Sequence, residues 1–383
     1  MTTVLVVNAG SSSLKLRVLD GTNEVTGRAD LPPPSGADDV SAIKAAIESF
    51  GPVRAVGHRV VHGGDIFTGP VLIDDAVRSQ LGQLTDLAPL HQPKSLAALD
   101  AVNAVLPGVP AIACFDTAFH ATIPAAAATF ALPAAWRQRW PLRRFGFHGL
   151  SHAYVSRRAA ELLGSGSSGA GAAPGPAGAG RGGLRVVSCH LGAGASLAAV
   201  QDGRSVDTTM GFTPLDGLVM ATRSGSVDPG LVLWLQTHAG IPAAEVADAL
   251  ENQSGLYGLA GTADMREITT RAAAGDAQAE LAREVYLHRL RGSVAAMAAA
   301  MDGLDVLVFT GGGGENSAEI RSRTMAGLGF LGVRADAERN AGGTGDRDIG
   351  VPDAAVRSLL IGAREDIEIA RQVREVLSEG PRS

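Results

Sequence analysis

The chain has only two cysteines in 383 residues, Cys114 and Cys189. Each lies inside an apolar, strand-like run, where a thiol packs as a small hydrophobe rather than forming a disulfide or a metal site. Long apolar runs are missing too: none approaches the length of a membrane span, and the first residues lead directly into a strand pattern without a leader-like segment. A reducing cytoplasm is the expected compartment. There is no excess of basic charge, since the formal net charge is −6. General nucleic-acid binding needs a basic face and is not expected. The composition that remains is globular, with 45% hydrophobic and 19% charged residues, and the length suits two domains with separate cores.

Residues 4–20 (VLVVNAGSSSLKLRVLD) read as strand, turn and strand. Val4 to Val7 form a continuous apolar run, as in a strand covered on both faces. The turn is built of small and hydroxylated residues, and Leu14, Leu16 and Val18 then alternate with Lys15 and Arg17. Such a turn lets backbone N–H groups approach an anion, with Lys15 adding a point charge. The plainer alternative is an ordinary hairpin with a Ser-rich tip. A second copy follows at residues 186–202 (VVSCHLGAGASLAAVQD), and residues 305–316 (DVLVFTGGGGEN) again run a buried strand into glycines. Repetition at this spacing predicts duplicated domains facing across a cleft, with the two hairpins gripping the phosphates of one nucleotide.

Between these landmarks lie the charged candidates. Arg59 sits in a strand that ends in HRVVHGG, and arginine suits bidentate binding of carboxylate or phosphate. Asp116 is expected at the C-terminal end of a strand over residues 110–120, where functional groups of α/β sheets concentrate; the alternative is a helix cap. Residues 136–152 (WRQRWPLRRFGFHGLSH) carry four arginines interleaved with aromatics, and His148 lies in their loop. Residues 254–261 read as a tight loop, residues 272–301 as one long helix, and Gly311–Gly314 as a loop before a helix starting at Glu315 and Asn316. Glu365 and Asp366 open the last helix, as N-terminal acids or as metal ligands. The Gly/Ser-rich residues 164–183 read as a flexible surface loop.

In order, NAGSSSLKL, GHRVVHGG, FDTAFH, FGFHG.SH, HLG.G.S, DT.MGFTPL.GL.M.TRSGS.DP and TGG.GENS closely resemble the acetate kinase family over essentially the whole chain. The resemblance implies an α/β protein of two domains with duplicated ribonuclease H-like cores, the actin-like ATPase fold, with nucleotide in the interdomain cleft. The first domain would span residues 1–119 plus 367–383 and the second, nucleotide-binding domain residues 120–366. It further implies a cytoplasmic homodimer that transfers the γ-phosphoryl of ATP to acetate, giving acetyl phosphate and ADP, with Mg²⁺ (or Mn²⁺). By position, Asn8, Ser11, Ser13 and Lys15 correspond to the phosphate-side hairpin. Arg59 and Arg223 correspond to the arginines that hold acetate and the phosphoryl group, Asp116 to the essential aspartate, and His148 to the transition-state histidine. His190 corresponds to a second histidine at the phosphates, beside Leu191, Gly192, Ala193 and Gly194. Val61, Leu90, Phe147 and Pro214 correspond to the acetate methyl pocket. Asp264, Met265, Arg266, Gly311, Gly312, Gly313, Gly314, Glu315 and Asn316 correspond to further nucleotide contacts, and Glu365, with Asn8, to the metal site.

The chemistry accords with that set, because phosphoryl transfer is largely positioning and charge neutralisation. A carboxylate with a pKa near ~4 is already a nucleophile at neutral pH, so Asp116 orients an arginine or a metal water rather than taking a proton. Ala193, Ala221, Gly313 and the run Ala363 to Asp366 depart from the family pattern. Propionate or butyrate remains open as the acceptor, and an actin- or chaperone-like ATPase module is the alternative of another class. The two arginines favour the small-carboxylate kinase.

Overall fold

The computed structural model describes residues 2–10, 13–32, 37–88, 92–164 and 183–379. Ser11, Leu90 and nearly all of the Gly/Ser-rich stretch lie outside the described residues. The chain divides into two units: Met1–Ala121, Phe147–Tyr154 and Arg364–Ser383 form unit 1, and Thr122–Gly146 with Val155–Ala363 form unit 2. Phe147–Tyr154, expected in the second domain, groups with unit 1, where Gly149 N donates to Asp116 O at 2.8 Å and His120 Nε2 lies 3.0 Å from Phe147 O.

Unit 1 contains β1 (Val4–Ala9), β2 (Leu14–Leu19), β3 (Val25–Leu31), β4 (Ala55–Val60), β5 (Val71–Leu72) and β6 (Ala111–Phe115). They form one sheet in the order β3-β2-β1-β4-β6-β5. Unit 2 contains β7 (Arg185–Leu191), β8 (Ala195–Gln201), β9 (Arg204–Thr208), β10 (Val306–Thr310), β11 (Arg347–Asp348) and β12 (Arg357–Leu360), in the order β11-β12-β10-β7-β8-β9. Read from the opposite edge, the second sheet repeats the first. Each is a three-stranded antiparallel meander whose first strand pairs in parallel with one central strand, which pairs in parallel with a second, closed by a short antiparallel edge strand. The duplication expected from the hairpins is therefore present in the topology.

The continuous apolar run of β1 has its cause in cover on both faces. Leu5 and Val7 pack with Ile43, Ile47 and Val102 from helices Ala37–Phe50 and Gln92–Val105. Val4 and Val6 pack with Ile369, Ala370 and Val373 from helix Glu365–Glu379. That helix presses onto β4 so closely that a Cβ on Gly57 would sit 2.4 Å from Ile369. The contact fixes the height of Glu365, its first residue, over the sheet.

Three local expectations are corrected. Residues 255–260 are helical, a single turn and a half ending at Gly261 in the left-handed region. The long helix is two, Met265–Ala273 and Ala277–Ala299. The break has a local cause: Gly275 takes φ +88°, and Asp276 caps the second helix by accepting from Gln278 N and Ala279 N. Gly311 to Asn316 is itself a helix rather than a loop. Its glycines are tolerated because the turn lies against β7, where a Cβ on Gly311 would meet the Leu191 backbone at 3.0–3.1 Å.

Candidate active site

In unit 1 the parallel pairing of β4 and β6 sets Arg59 opposite Cys114 and Val60 opposite Phe115. Asp116, one residue past β6, thus emerges beside Arg59. The Arg59 Nε donates to both Asp116 oxygens at 3.0 and 3.2 Å, and Nη2 donates to Oδ2 at 2.6 Å. The remaining Nη1 donates to Asn8 Oδ1 at 3.1 Å, and Asn8 Nδ2 donates to Glu365 Oε2 at 3.1 Å. Asn8 thereby links Glu365 to the Arg59–Asp116 pair, its amide oriented by an acceptor on one side and a donor on the other. Asp116 is 1% exposed and Arg59 16%, so the arginine screens the acid from solvent.

Burial opposes the charge on Arg59, but Asp116 and Glu365 outweigh it and raise its pKa further. Burial raises the Asp116 carboxyl above its usual range, against the pull of the guanidinium. Asp116 accepts all three of these hydrogen bonds from Arg59. Asp366 is engaged by Arg364 Nε and Nη2 at 2.9–3.2 Å, so Glu365 is the acid that faces this cluster.

Lys15 lies opposite Asn8 in the β1–β2 hairpin, and Gly10 N closes the turn on Ser13 O at 2.8 Å. His148 sits between buried Phe147 and Gly149 with φ +56°, an uncommon conformation for a residue with a side chain. The loop is pinned from below, because a Cβ on Gly149 would fall 2.2 Å from Asp116 O. Phe147 is also braced by the His62 ring, edge-on at 5.5 Å. Val61 is buried beside that histidine in sequence. Two residues of this scaffold carried no sequence signal. Buried Gln92 receives His62 N at 3.4 Å and donates to His62 O at 3.2 Å, and Thr117 Oγ1 accepts from Gly63 N at 3.0 Å.

In unit 2 the β7–β8 turn closes with Gly192 N donating to Gly194 O at 3.0 Å. A Cβ on Gly192 would lie 3.4 Å from His190 Nε2, so the bare turn and the histidine are neighbours. A cavity of about 520 Å³ opens beside it. Among the expected nucleotide residues, Leu191, Gly192, Ala193, Asp264, Met265, Arg266, Gly312, Gly313 and Asn316 line it. His190, Gly194, Gly311, Gly314 and Glu315 do not. Gly311 and Gly314 are buried against β7 and β10, and Glu315 turns away to accept from Ala363 N at 3.0 Å. Met220, Leu256, Tyr286 and Ile320 also line the cavity and were missed, being single apolar or aromatic residues inside helices or turns. Arg223 is held by Glu251 Oε2 at 2.8 Å, both side chains 19% exposed. Pro214 is half-buried in the loop between β9 and helix Pro229–Thr237.

No group of three or more His, Cys, Asp or Glu side chains among the described residues is placed to hold a metal unaided. Glu365 and Asn8 carry hard oxygen donors of the kind a largely hydrated divalent ion takes; the Asn8 oxygen here accepts from Arg59 Nη1, and its amide nitrogen donates to Glu365.

A sheet topology used twice, each copy carrying a small-residue hairpin at the same place, defines the two-domain α/β class of actin-like phosphotransferases. The profile of the acetokinase family matches residues 37–371. An acetate kinase of Methanosarcina acetivorans is 39% identical over 408 aligned positions, covering 97% of this chain and 96% of the relative. The crystal structure of Porphyromonas gingivalis acetate kinase superposes with a TM-score of 0.87 at 34% identity, covering 98% of this chain and all of that one. A propionate kinase of Francisella tularensis superposes with a TM-score of 0.86 at 33% identity, with the same coverage. The chain belongs to the acetokinase family.

Proposed function

We infer that this family member catalyses the reversible transfer of the γ-phosphoryl group of ATP to acetate, giving acetyl phosphate and ADP. Full-length kinship to acetate kinases supports the reaction. The carrying observation for the site is Arg59, held by Asp116 with one edge directed to Asn8 and Glu365. In this reading unit 2 binds the nucleotide in its cavity, with the His190–Gly194 turn at the phosphates. Unit 1 receives the acceptor: Arg59 holds the carboxylate, while buried Val61 and Phe147 offer apolar surface to the methyl group. His148 and Arg223 neutralise charge on the transferring group. Asn8 and Glu365 hold Mg²⁺, which supplies further neutralisation of the phosphates when bound.

Propionate is the second reading for the acceptor, favoured by the near-equal likeness to a propionate kinase. One methylene in an apolar pocket is worth about 1–3 kcal/mol, so both acids can be turned over at different rates. Acyl phosphate trapped with hydroxylamine, using acetate, propionate and butyrate in parallel with ATP and Mg²⁺, tests the reaction. ATP hydrolysis without any acyl phosphate would overturn it.

We also propose a homodimer through unit 2. Helix Pro229–Thr237 has no buried residue, and Leu231, Leu233 and Trp234 are 47–61% exposed on it. A second copy of the chain is the simplest cover for that surface. Light scattering of Leu233→Glu should report a monomer where the unmodified chain reports a dimer. Dependence on ATP and ADP accords with a cytoplasmic location. Among the described residues no helix is long and apolar enough to cross a membrane.

A further inference from the structure

Arg59 in unit 1 is held through Nε by an acid, and unit 2 repeats the device at Arg223. The Arg223 Nε donates to Glu251 Oε2 at 2.8 Å, and both side chains are 19% exposed. Glu251 lies in the last turn of helix Ala243–Asn252. Carbonyls in the last turn of a helix have no partner further along it, and the segment around Arg223 supplies donors to two of them. Ser224 N donates to Leu250 O at 3.0 Å, and Thr222 Oγ1 donates to Glu251 O at 3.0 Å. Just past the helix, Ser254 N donates to Thr222 O at 2.9 Å. Gly255 follows at φ +61°, packed so closely that a Cβ on it would fall 2.6 Å from Arg223 O. One helix end thus fixes the backbone on both sides of Arg223 and, through Glu251, its side chain.

The same segment borders the cavity of unit 2. Met220 and Ala221 line it; Met220 N donates to Arg223 O at 3.1 Å, and Ala221 N donates at 3.1 Å to the carbonyl of Ala193, another lining residue. An acid beside an arginine that meets phosphoryl oxygens subtracts positive charge where negative charge develops. Its net effect on transfer therefore depends on what it adds in orientation. The bond at Nε is charge-assisted, fixes the plane of the guanidinium and engages the nitrogen nearest the chain rather than the terminal pair. Without it the side chain turns about several single bonds, and a displacement of about 1 Å at a reacting centre can cost about 10²-fold in rate.

We propose that Glu251 is a positioning residue for phosphoryl transfer, holding the Arg223 guanidinium in the plane from which it meets the transferring group. The proposal rests on the reading of Arg223 as an arginine that neutralises that group. The test is steady-state acyl phosphate formation, with thermal midpoints, by full-length variants at the two positions. Glu251→Ala should lower kcat about tenfold or more. KM for ATP and the midpoint should stay close to those of the unmodified protein, because the Glu251 carbonyl, not its side chain, holds Thr222. Glu251→Met, of similar length and without an acceptor, should lose rate in the same way even if the shorter alanine disturbs the helix end. Glu251→Gln, which keeps a neutral acceptor, should recover most of the rate. In an Arg223→Ala background, Glu251→Ala should cost nothing further. An unchanged or higher kcat in Glu251→Met, or an equal loss with and without Arg223, would overturn the proposal while leaving Arg223 its role. Normal turnover by Arg223→Ala would remove that role and the proposal with it.

Discussion

Arg59 and Asp116 meet side-on, with both carboxylate oxygens held by one edge of the guanidinium at 2.6–3.2 Å and the acid 1% exposed. The pair has two consequences. It directs the other edge of Arg59 toward Asn8, and it makes each partner the condition for burying the other.

Removing Arg59 should therefore harm more than turnover. Arg59→Ala leaves Asp116 buried without its counter-charge, a change that typically costs about 3–5 kcal/mol. Loss of one charge-stabilising donor should also lower kcat by about 10²–10³. Urea unfolding and steady-state kinetics of Arg59→Ala, Asp116→Ala and the double variant separate the two effects. The double variant should recover part of the lost stability and none of the activity. Additive stability losses would show that the pair is not coupled.

Glu365 and Asp366 are adjacent acids with different neighbours. Glu365 accepts from Asn8, whereas Asp366 is neutralised by Arg364. Glu365→Gln should raise the Mg²⁺ concentration for half-maximal rate about tenfold or more, while Asp366→Asn should shift it less than twofold. An equal response of the two variants would remove Glu365 from the metal site.

Acid should loosen unit 1 before neutral pH is far behind. Burial lowers His58, His62 and His120 from 6.5 to about 4 each. The unfolded chain takes up these protons below 6.5, whereas the folded chain does so only near 4. Their stabilisation is thus fully present above pH 6.5 and is lost progressively as the pH falls from 6.5 to 4, by up to about 3 kcal/mol for each histidine. Amide exchange in β4 and β6 should accelerate between pH 7 and 5 after correction for the intrinsic rate, and His58→Leu should flatten that dependence. A flat corrected rate in the unmodified protein would contradict the assignment.

Much of this was legible in the sequence, and the failures have physical causes. The hairpins 4–20 and 186–202 announced themselves because strand alternation and small-residue turns are local signals, and their duplication carried over to the whole sheet order. The identity of Arg59 and Asp116 as candidates was legible, but their pairing was not. It depends on the parallel register of β4 and β6, a contact 57 positions apart. The glycines 311–314 misled because glycine is a poor helix former, and only packing against Leu191 makes a helical turn of them. The break at Gly275 and Asp276 did carry a signal, a capping residue after a glycine, that the surrounding alanines obscured. Tyr286 had none, since its significance comes from the cavity that other segments build around it.

Two glycines are kept bare for opposite reasons, and that contrast tests the cavity. A Cβ on Gly149 would lie 2.2 Å from Asp116 O, a backbone atom that cannot move aside, so Gly149→Ala should destabilise unit 1 whatever is bound. A Cβ on Gly312 meets nothing within 4 Å, and the residue lines the cavity of unit 2. No contact among the described residues forbids a side chain there. Alanine in a helix is favoured over glycine by about 0.5–1 kcal/mol, so Gly312→Ala should leave the thermal midpoint equal or slightly higher. Gly312→Leu carries a longer side chain into the open volume and should raise KM for ATP at least about tenfold, with KM for acetate unchanged. The expected pattern is thus a folded protein that has lost affinity for one substrate only. Unchanged KM for ATP in Gly312→Leu, with the midpoint also unchanged, would show that the nucleotide binds elsewhere.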